Sequence, residues 1–139
     1  MSKDREALAA LARDACRSAH APYSGIHVGA AIRSGTGAFY TGTNVENAAY
    51  PLGNCAEASA IAAGVQAEGA AFAIAETAVW ALDNRGRTIS ISPCGGCRQR
   101  IREFAASGSV SVHFPWRDGS LHTASVDELL PFAFELPKS

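Results

Sequence analysis

The placement of cysteine constrains this chain more than any other feature. Cys55-Ala56-Glu57 is followed downstream by Pro93-Cys94-Gly95-Gly96-Cys97. Three cysteines so arranged can hold one zinc ion and leave its fourth position open, with a glutamate two residues from the first ligand to serve that position. Cys94 and Cys97 sit three apart at the start of a predicted helix, so both sulfurs share a face and reach one metal. Cys55 begins another predicted helix, where the macrodipole and the free N–H groups favour a thiolate. Cys16 is the one other cysteine. As a fourth ligand it would close the site into a structural centre without chemistry, but it also fits the buried face of the first helix. Pro-Cys-x-x-Cys alone fits a redox motif as well, yet a redox pair has no need of a distant Cys-x-Glu.

Composition narrows the setting. The 139 residues suffice for one domain, 1–139, with one core. Hydrophobic residues make up 47% and charged residues 18%, a globular balance rather than a disordered one. A net charge of −1 supplies no basic surplus to neutralise a phosphate backbone, which argues against long nucleic acid as a partner. Met1 to Glu6 is charged and lacks an apolar h-region, and no apolar run approaches a membrane span. A cytoplasmic protein with reduced thiols and no membrane partner is the expectation.

The element order follows from periodicity and punctuation. Ser2 is placed to cap a helix to about Ala19, with Ala7, Leu8, Leu11, Ala15 and Cys16 at helical spacing. Val28–Ile32 and Ala38–Gly42 read as a hairpin across Ser34-Gly35-Thr36-Gly37. Residues 44–53 read as a loop, Asn54 as an N-cap, and Cys55–Ala67 as an alanine-rich helix. Thr77–Leu82 and Thr88–Ser92 read as strands, Cys94–Ala106 as a helix, and Val110–Phe114 and Leu121–Ser125 as a second strand pair. A short helical turn, Val126–Leu130, ends at Pro131. Trp80, Phe39 and Phe72 read as core, and the four histidines as structural or surface. The pattern predicts an α/β layered domain on a mixed sheet.

Paired Cys-x-Glu and Pro-Cys-x-x-Cys motifs are the layout of a hydrolytic zinc deaminase, in which metal-activated water attacks a nucleobase while the glutamate moves the protons. The chain resembles the small homotetrameric cytidine deaminases, and the resemblance extends beyond the zinc motifs. Pro22-Tyr23-Ser24 with Val28-Gly29-Ala30-Ala31, the run from Thr41 to Pro51, Pro93 to Gln99, and Leu129-Leu130-Pro131 with Phe134 are similar to segments of that family, in order, over roughly residues 5 to 135. The resemblance implies a three-layer α/β/α sandwich around a five-stranded mixed sheet. It implies one Zn2+ per subunit on Cys55, Cys94 and Cys97, with Glu57 as proton shuttle. Asn44 and Glu46 would bond the ribose, and the Ala56 backbone would help hold the pyrimidine. Tyr50 would approach the ribose from a neighbouring subunit, and Phe134 would pack near the base across an interface. The implied partners are a small nucleoside and three further copies in a homotetramer with shared active sites.

Two positions depart from the family pattern. Ile26 stands where members often carry an aromatic, so a base would pack on it without stacking. Ala58 stands where many members carry an arginine beside the thiolates. Zinc with three thiolates keeps a net negative charge that opposes activation of water. Something else must offset it, and Arg98, Gln99, Arg100 and Arg102 are the candidates. The implied activity is hydrolysis of cytidine and 2'-deoxycytidine to the uridines and ammonia, in pyrimidine salvage. A deaminase of another cytosine nucleoside such as blasticidin S, and a non-catalytic zinc module, are the alternatives.

Overall fold

The computed structural model describes residues 2–106 and 110–138, with side chains from residue 4 onward. Helix α1 (Ser2–Ala15) continues as one 3-10 turn (Cys16–Ser18) and is followed by strands β1 (His27–Ser34) and β2 (Phe39–Thr43). Helix α2 (Ala56–Glu68), strand β3 (Ile74–Leu82), helix α3 (Gly95–Phe104), strands β4 (Ser111–Pro115) and β5 (Leu121–Ser125), and the short helix α4 (Val126–Leu129) complete the order. The sheet runs β2-β1-β3-β4-β5. Its pairs are antiparallel except β3–β4, which are parallel around the α3 crossover. The expected five-stranded mixed sheet with helices is present.

Alternation along β1 builds the layers. Ala30 and Ile32 face a core made with Ala56, Ala60 and Ile61 of α2, Ile101 of α3 and Val126 of α4. Ala31 faces the opposite way, onto Leu8, Ala9 and Ala12 of α1. Two glycines set how closely the helices approach. A Cβ on Gly29 would come 2.0 Å from the Ala12 carbonyl oxygen, and one on Gly42 would come 2.3 Å from the Ala60 nitrogen. Backbone therefore packs on backbone on both sides of the sheet, and α2 is fixed directly against β2.

Several expectations shift. The α-helix ends at Ala15, because the chain must turn to pair His20 with Val45; the His20 N–H donates to the Asn44 carbonyl and the Glu46 N–H to the His20 carbonyl. The buried stripe of α1 is Leu8, Ala9, Ala12 and Cys16, which leaves Ala7 and Leu11 exposed. The Ser2 side chain lies outside the described ones. Phe72 is core, but Phe39 is exposed on edge strand β2. Thr88–Ser92 is not a strand. The β3–β4 pairing spans only Glu76–Ala78 against Ser111–His113, and the segment bridges the gap beyond it. There the Ile89 N–H donates to Ala81 and the Ile91 N–H to Pro115, one bond to each side and no ladder with either.

One polar cluster is buried across the sheet. His113 on β4 bonds Glu76 on β3 through Nε2 and Thr123 on β5 through Nδ1, and Arg33 on β1 holds the other Glu76 oxygen at 3.0 Å. Burial holds the His113 imidazole below its ordinary range, although Glu76 opposes this. Burial raises the Glu76 carboxyl, but the bonds from His113 and Arg33 outweigh it and hold the group low. Both groups thus bind protons more readily in the unfolded chain. Their contribution to stability is full above the unfolded histidine value near pH 6.5 and is lost as pH falls through the folded values. Denaturant midpoints should therefore fall between about pH 7.5 and about pH 5, and His113→Gln should flatten that fall; an equally steep fall in the variant would contradict this account.

Candidate active site

Two helix starts converge to form the site. Cys55 occupies the N-cap of α2 in extended conformation, and Cys94 occupies the N-cap of α3. Asn54, expected at the N-cap, is instead held one residue outside the helix. It pairs with Val45 through both backbone groups, at 2.9 and 3.0 Å. The shift leaves the Cys55 thiol at the helix start with no capping bond to make. The Cys94 sulfur accepts the Cys97 N–H at 3.4 Å, which fixes the Cys-x-x-Cys turn.

The sulfurs of Cys55, Cys94 and Cys97 lie within 4.8 Å of one another. A tetrahedral zinc with ligands at about 2.3 Å places its sulfurs about 3.8 Å apart, so the three thiols fit the ion and together form a potential metal site. Burial and the surrounding negative groups push the Cys97 thiol up; burial also pushes Cys55 up, whereas for Cys94 the effect of burial is outweighed by the Cys97 N–H and the thiol lies low. Three sulfurs and a carboxylate at such close quarters call for a cation among them, which is what a divalent ion provides. Among the described residues, Cys16 is not part of the cluster. It is fully buried between α1 and β3, its thiol donating to Trp80 and Ala12 carbonyls, and burial raises it to about 11. Three protein ligands would leave the fourth position of a zinc open, and Cys16 is not placed to close it.

The thiols lie beside a cavity of about 570 Å³. Glu57, on the first turn of α2, lines it and is only 5% exposed. Burial raises its carboxyl above the usual range, against a downward pull from its own N–H, Cys97 and Arg100. Ile26, Asn44, Glu46, Tyr50 and Ala56 line the same cavity. The Asn44 amide is clamped: Oδ1 accepts the Val28 N–H and Nδ2 donates to the Ile26 carbonyl, both at 2.8 Å. One N–H and one lone pair remain for a ligand. Glu46 Oε1 accepts the N–H groups of Tyr23 and Ser24 at 2.9 and 3.1 Å, and Oε2 takes the Ser24 hydroxyl. Those bonds, led by the hydroxyl, hold the Glu46 carboxyl below its ordinary range, so it presents an anion.

Tyr50 lines its own chain's cavity, edge-on to Tyr23, and is 77% exposed; the resemblance implies a tyrosine reaching a neighbour. Phe134 lies outside this cavity. Its backbone is held by the Gln99 amide at 2.8 and 3.1 Å, and its ring is exposed. Tyr23, Ser24, Asn54, Ile91 and Ser92 also line the cavity and were not legible as site residues. Ile91 and Ser92 enter it because their segment is not a strand. Of the four candidates to offset the thiolate charge, only Arg100 reaches a sulfur, with Nη1 3.7 Å from Cys97. Arg98 is spent on the Pro93 and Leu129 carbonyls, Arg102 on Asp127 and Glu135, and Gln99 on Phe134.

An open three-thiol centre, with a buried glutamate at a nucleoside-sized cavity on a five-stranded α/β/α frame, defines a zinc-dependent hydrolytic deaminase. The chain belongs to the family described as the cytidine and deoxycytidylate deaminase zinc-binding region, which it matches over residues 2–113. It is 38% identical to a cytidine deaminase of Sporosarcina psychrophila, covering 94% of this chain and 91% of that one, and 37% identical to one of Halalkalibacterium halodurans, covering 94% of each. The crystal structure of cytidine deaminase from Burkholderia pseudomallei shares the fold at a TM-score of 0.78 and 37% identity, over 93% of this chain and 98% of that one. Its Mycobacterium tuberculosis counterpart matches at 0.75 and 34%, over 96% and 98%.

The ligand assignment is checked by metal analysis of purified variants. Cys16→Ala should retain the wild-type zinc content, whereas Cys97→Ala should lose most of it. Zinc loss from folded Cys16→Ala would contradict the three-thiol site.

Proposed function

We propose that the protein hydrolyses cytidine and 2'-deoxycytidine to uridine and 2'-deoxyuridine, releasing ammonia. The observation that carries this reading is the placement of Glu57. It lies buried two residues from one thiol, where the three sulfurs meet a cavity in the size range of small-molecule sites. Bound zinc supplies water activated near neutral pH and leaves the proton traffic to the protein. Glu57 accepts the proton of the attacking water, delivers it to ring N3, and then assists protonation of the departing amino group. Burial raises the carboxyl above its usual range, which makes it a stronger base for the first of these tasks.

The remaining residues orient the nucleoside. The clamped Asn44 amide and the ionised Glu46 offer a fixed donor and fixed acceptors to the ribose hydroxyls, and the Ala56 backbone faces the pyrimidine edge. Ile26 gives the base an apolar wall. We further propose a homotetramer with shared active sites. Phe132, Phe134 and Leu136 are exposed near the C-terminus, and Tyr50 and Leu52 beside the cavity are more than 70% exposed; these apolar side chains support the reading, since a neighbouring copy would cover them. Phe134 would then reach a neighbour's base. A cytoplasmic role in pyrimidine salvage agrees with unpaired thiols and a helix set in which none described is long and apolar enough to cross a membrane.

Ultraviolet absorbance during incubation with cytidine tests the reading. Wild-type protein should convert cytidine to uridine and stop when a zinc chelator is added. Glu57→Gln should lose roughly 10²–10⁴-fold in kcat with zinc still bound. Near-wild-type turnover in that variant would remove Glu57 from the chemistry.

A further inference from the structure

With zinc bound, the three-thiolate centre would hold more negative charge than the ion can cancel. Three thiolates leave one net negative charge on a divalent ion, and Glu57 adds another in the same buried region. Position 58, which follows Glu57 on α2, is alanine and carries no charge. Arg100 sits one turn along α3 from Cys97 and reaches back, in the i, i+3 relation that makes helix neighbours. Its Nη1 donates to the Cys97 sulfur at 3.7 Å, within reach of an N–H···S bond. The guanidinium lies close over Gly96: a Cβ there would be 3.2 Å from Arg100 Nη1 and 3.9 Å from the Cys94 sulfur. The guanidinium thus passes over a bare Cα between two ligand cysteines. Among the described residues Arg100 makes no ion pair with a carboxylate, so its charge is not cancelled elsewhere.

We infer that Arg100 is the positioning and charge-compensating residue of the zinc centre, donating to the Cys97 thiolate so that the ion keeps its power to polarise the open position. The inference rests on the reading of the site as a zinc deaminase. A hydrogen bond to a thiolate withdraws electron density that the sulfur would otherwise donate to the metal. Removing it should leave the ion bound, since the three sulfurs remain, but make it a weaker Lewis acid. The loss should fall on kcat rather than KM, because nucleoside contacts are made elsewhere in the cavity.

The test uses cobalt(II)-substituted protein beside the zinc enzyme. In Arg100→Gln the sulfur-to-cobalt charge-transfer band should move to longer wavelength, because an unbonded thiolate gives up electron density more easily. Zinc content should stay at the wild-type level while kcat falls roughly 10–100-fold. Arg100→Lys should show a smaller shift and a smaller loss. Returning the cation from the other helix, in A58R combined with R100Q, should move the band back and recover turnover. Arg102→Gln, which breaks only the ion pairs with Asp127 and Glu135, should change neither. An unmoved band in Arg100→Gln, or zinc loss from that folded variant, would overturn the inference. Failure of wild-type protein to deaminate cytidine would instead sink the proposed function, because the cobalt band judges Arg100 without any substrate.

Discussion

Negative charge concentrated at one point is the constraint to which the rest of the molecule answers. Cys55, Cys94, Cys97 and Glu57 come from two helices separated in sequence by β3 and a long connection, yet their acidic groups converge beside a single cavity. Such a cluster is unfavourable unless positive charge or oriented dipoles offset it. The fold supplies the N-termini of α2 and α3, on which the cysteines sit, and a metal held by the three sulfurs would supply the rest. Helix–sheet contact makes the arrangement rigid. Gly42 lets the first turns of α2 lie against β2 without an intervening side chain, so the positions of Cys55 and Glu57 are fixed by backbone packing rather than by a flexible loop.

The wall of the cavity that carries Asn44 and Glu46 follows a different logic. Asn44 and Glu46 are each engaged with the chain's own backbone before any ligand arrives, through the Ile26–Val28 and Tyr23–Ser24 segments. Those bonds fix the rotamers and hold Glu46 ionised. A ligand bound there would meet groups already ordered, and preorganised polar groups turn a few contacts into selectivity. The same bonds join the entry segment after α1 to the loop before α2. One wall of the cavity is therefore built from parts of the chain that share no regular element.

Much of this was legible in the residues. Cysteine spacing located the metal site, glycine and proline punctuation located most elements, and the family resemblance supplied the layer order. What escaped the sequence was decided by tertiary contact. Asn54 has the chemistry of an N-cap, but its bridge to Val45 moved the helix start onto Cys55. Thr88–Ser92 has the composition of a strand, but it falls where β3 and β4 have already parted. Arg100 was one of four side chains able to offset the thiolate charge. Only the structure separates it from Arg98, whose guanidinium is consumed by backbone carbonyls.

The central claim is that three thiols hold the metal and leave one position to water and substrate. X-ray absorption at the zinc edge of the wild-type protein, free of nucleoside, tests it most directly. The account predicts three sulfur neighbours near about 2.3 Å and one oxygen near about 2.0 Å. A shell of four sulfurs would contradict it, because a closed centre has no place for the reaction.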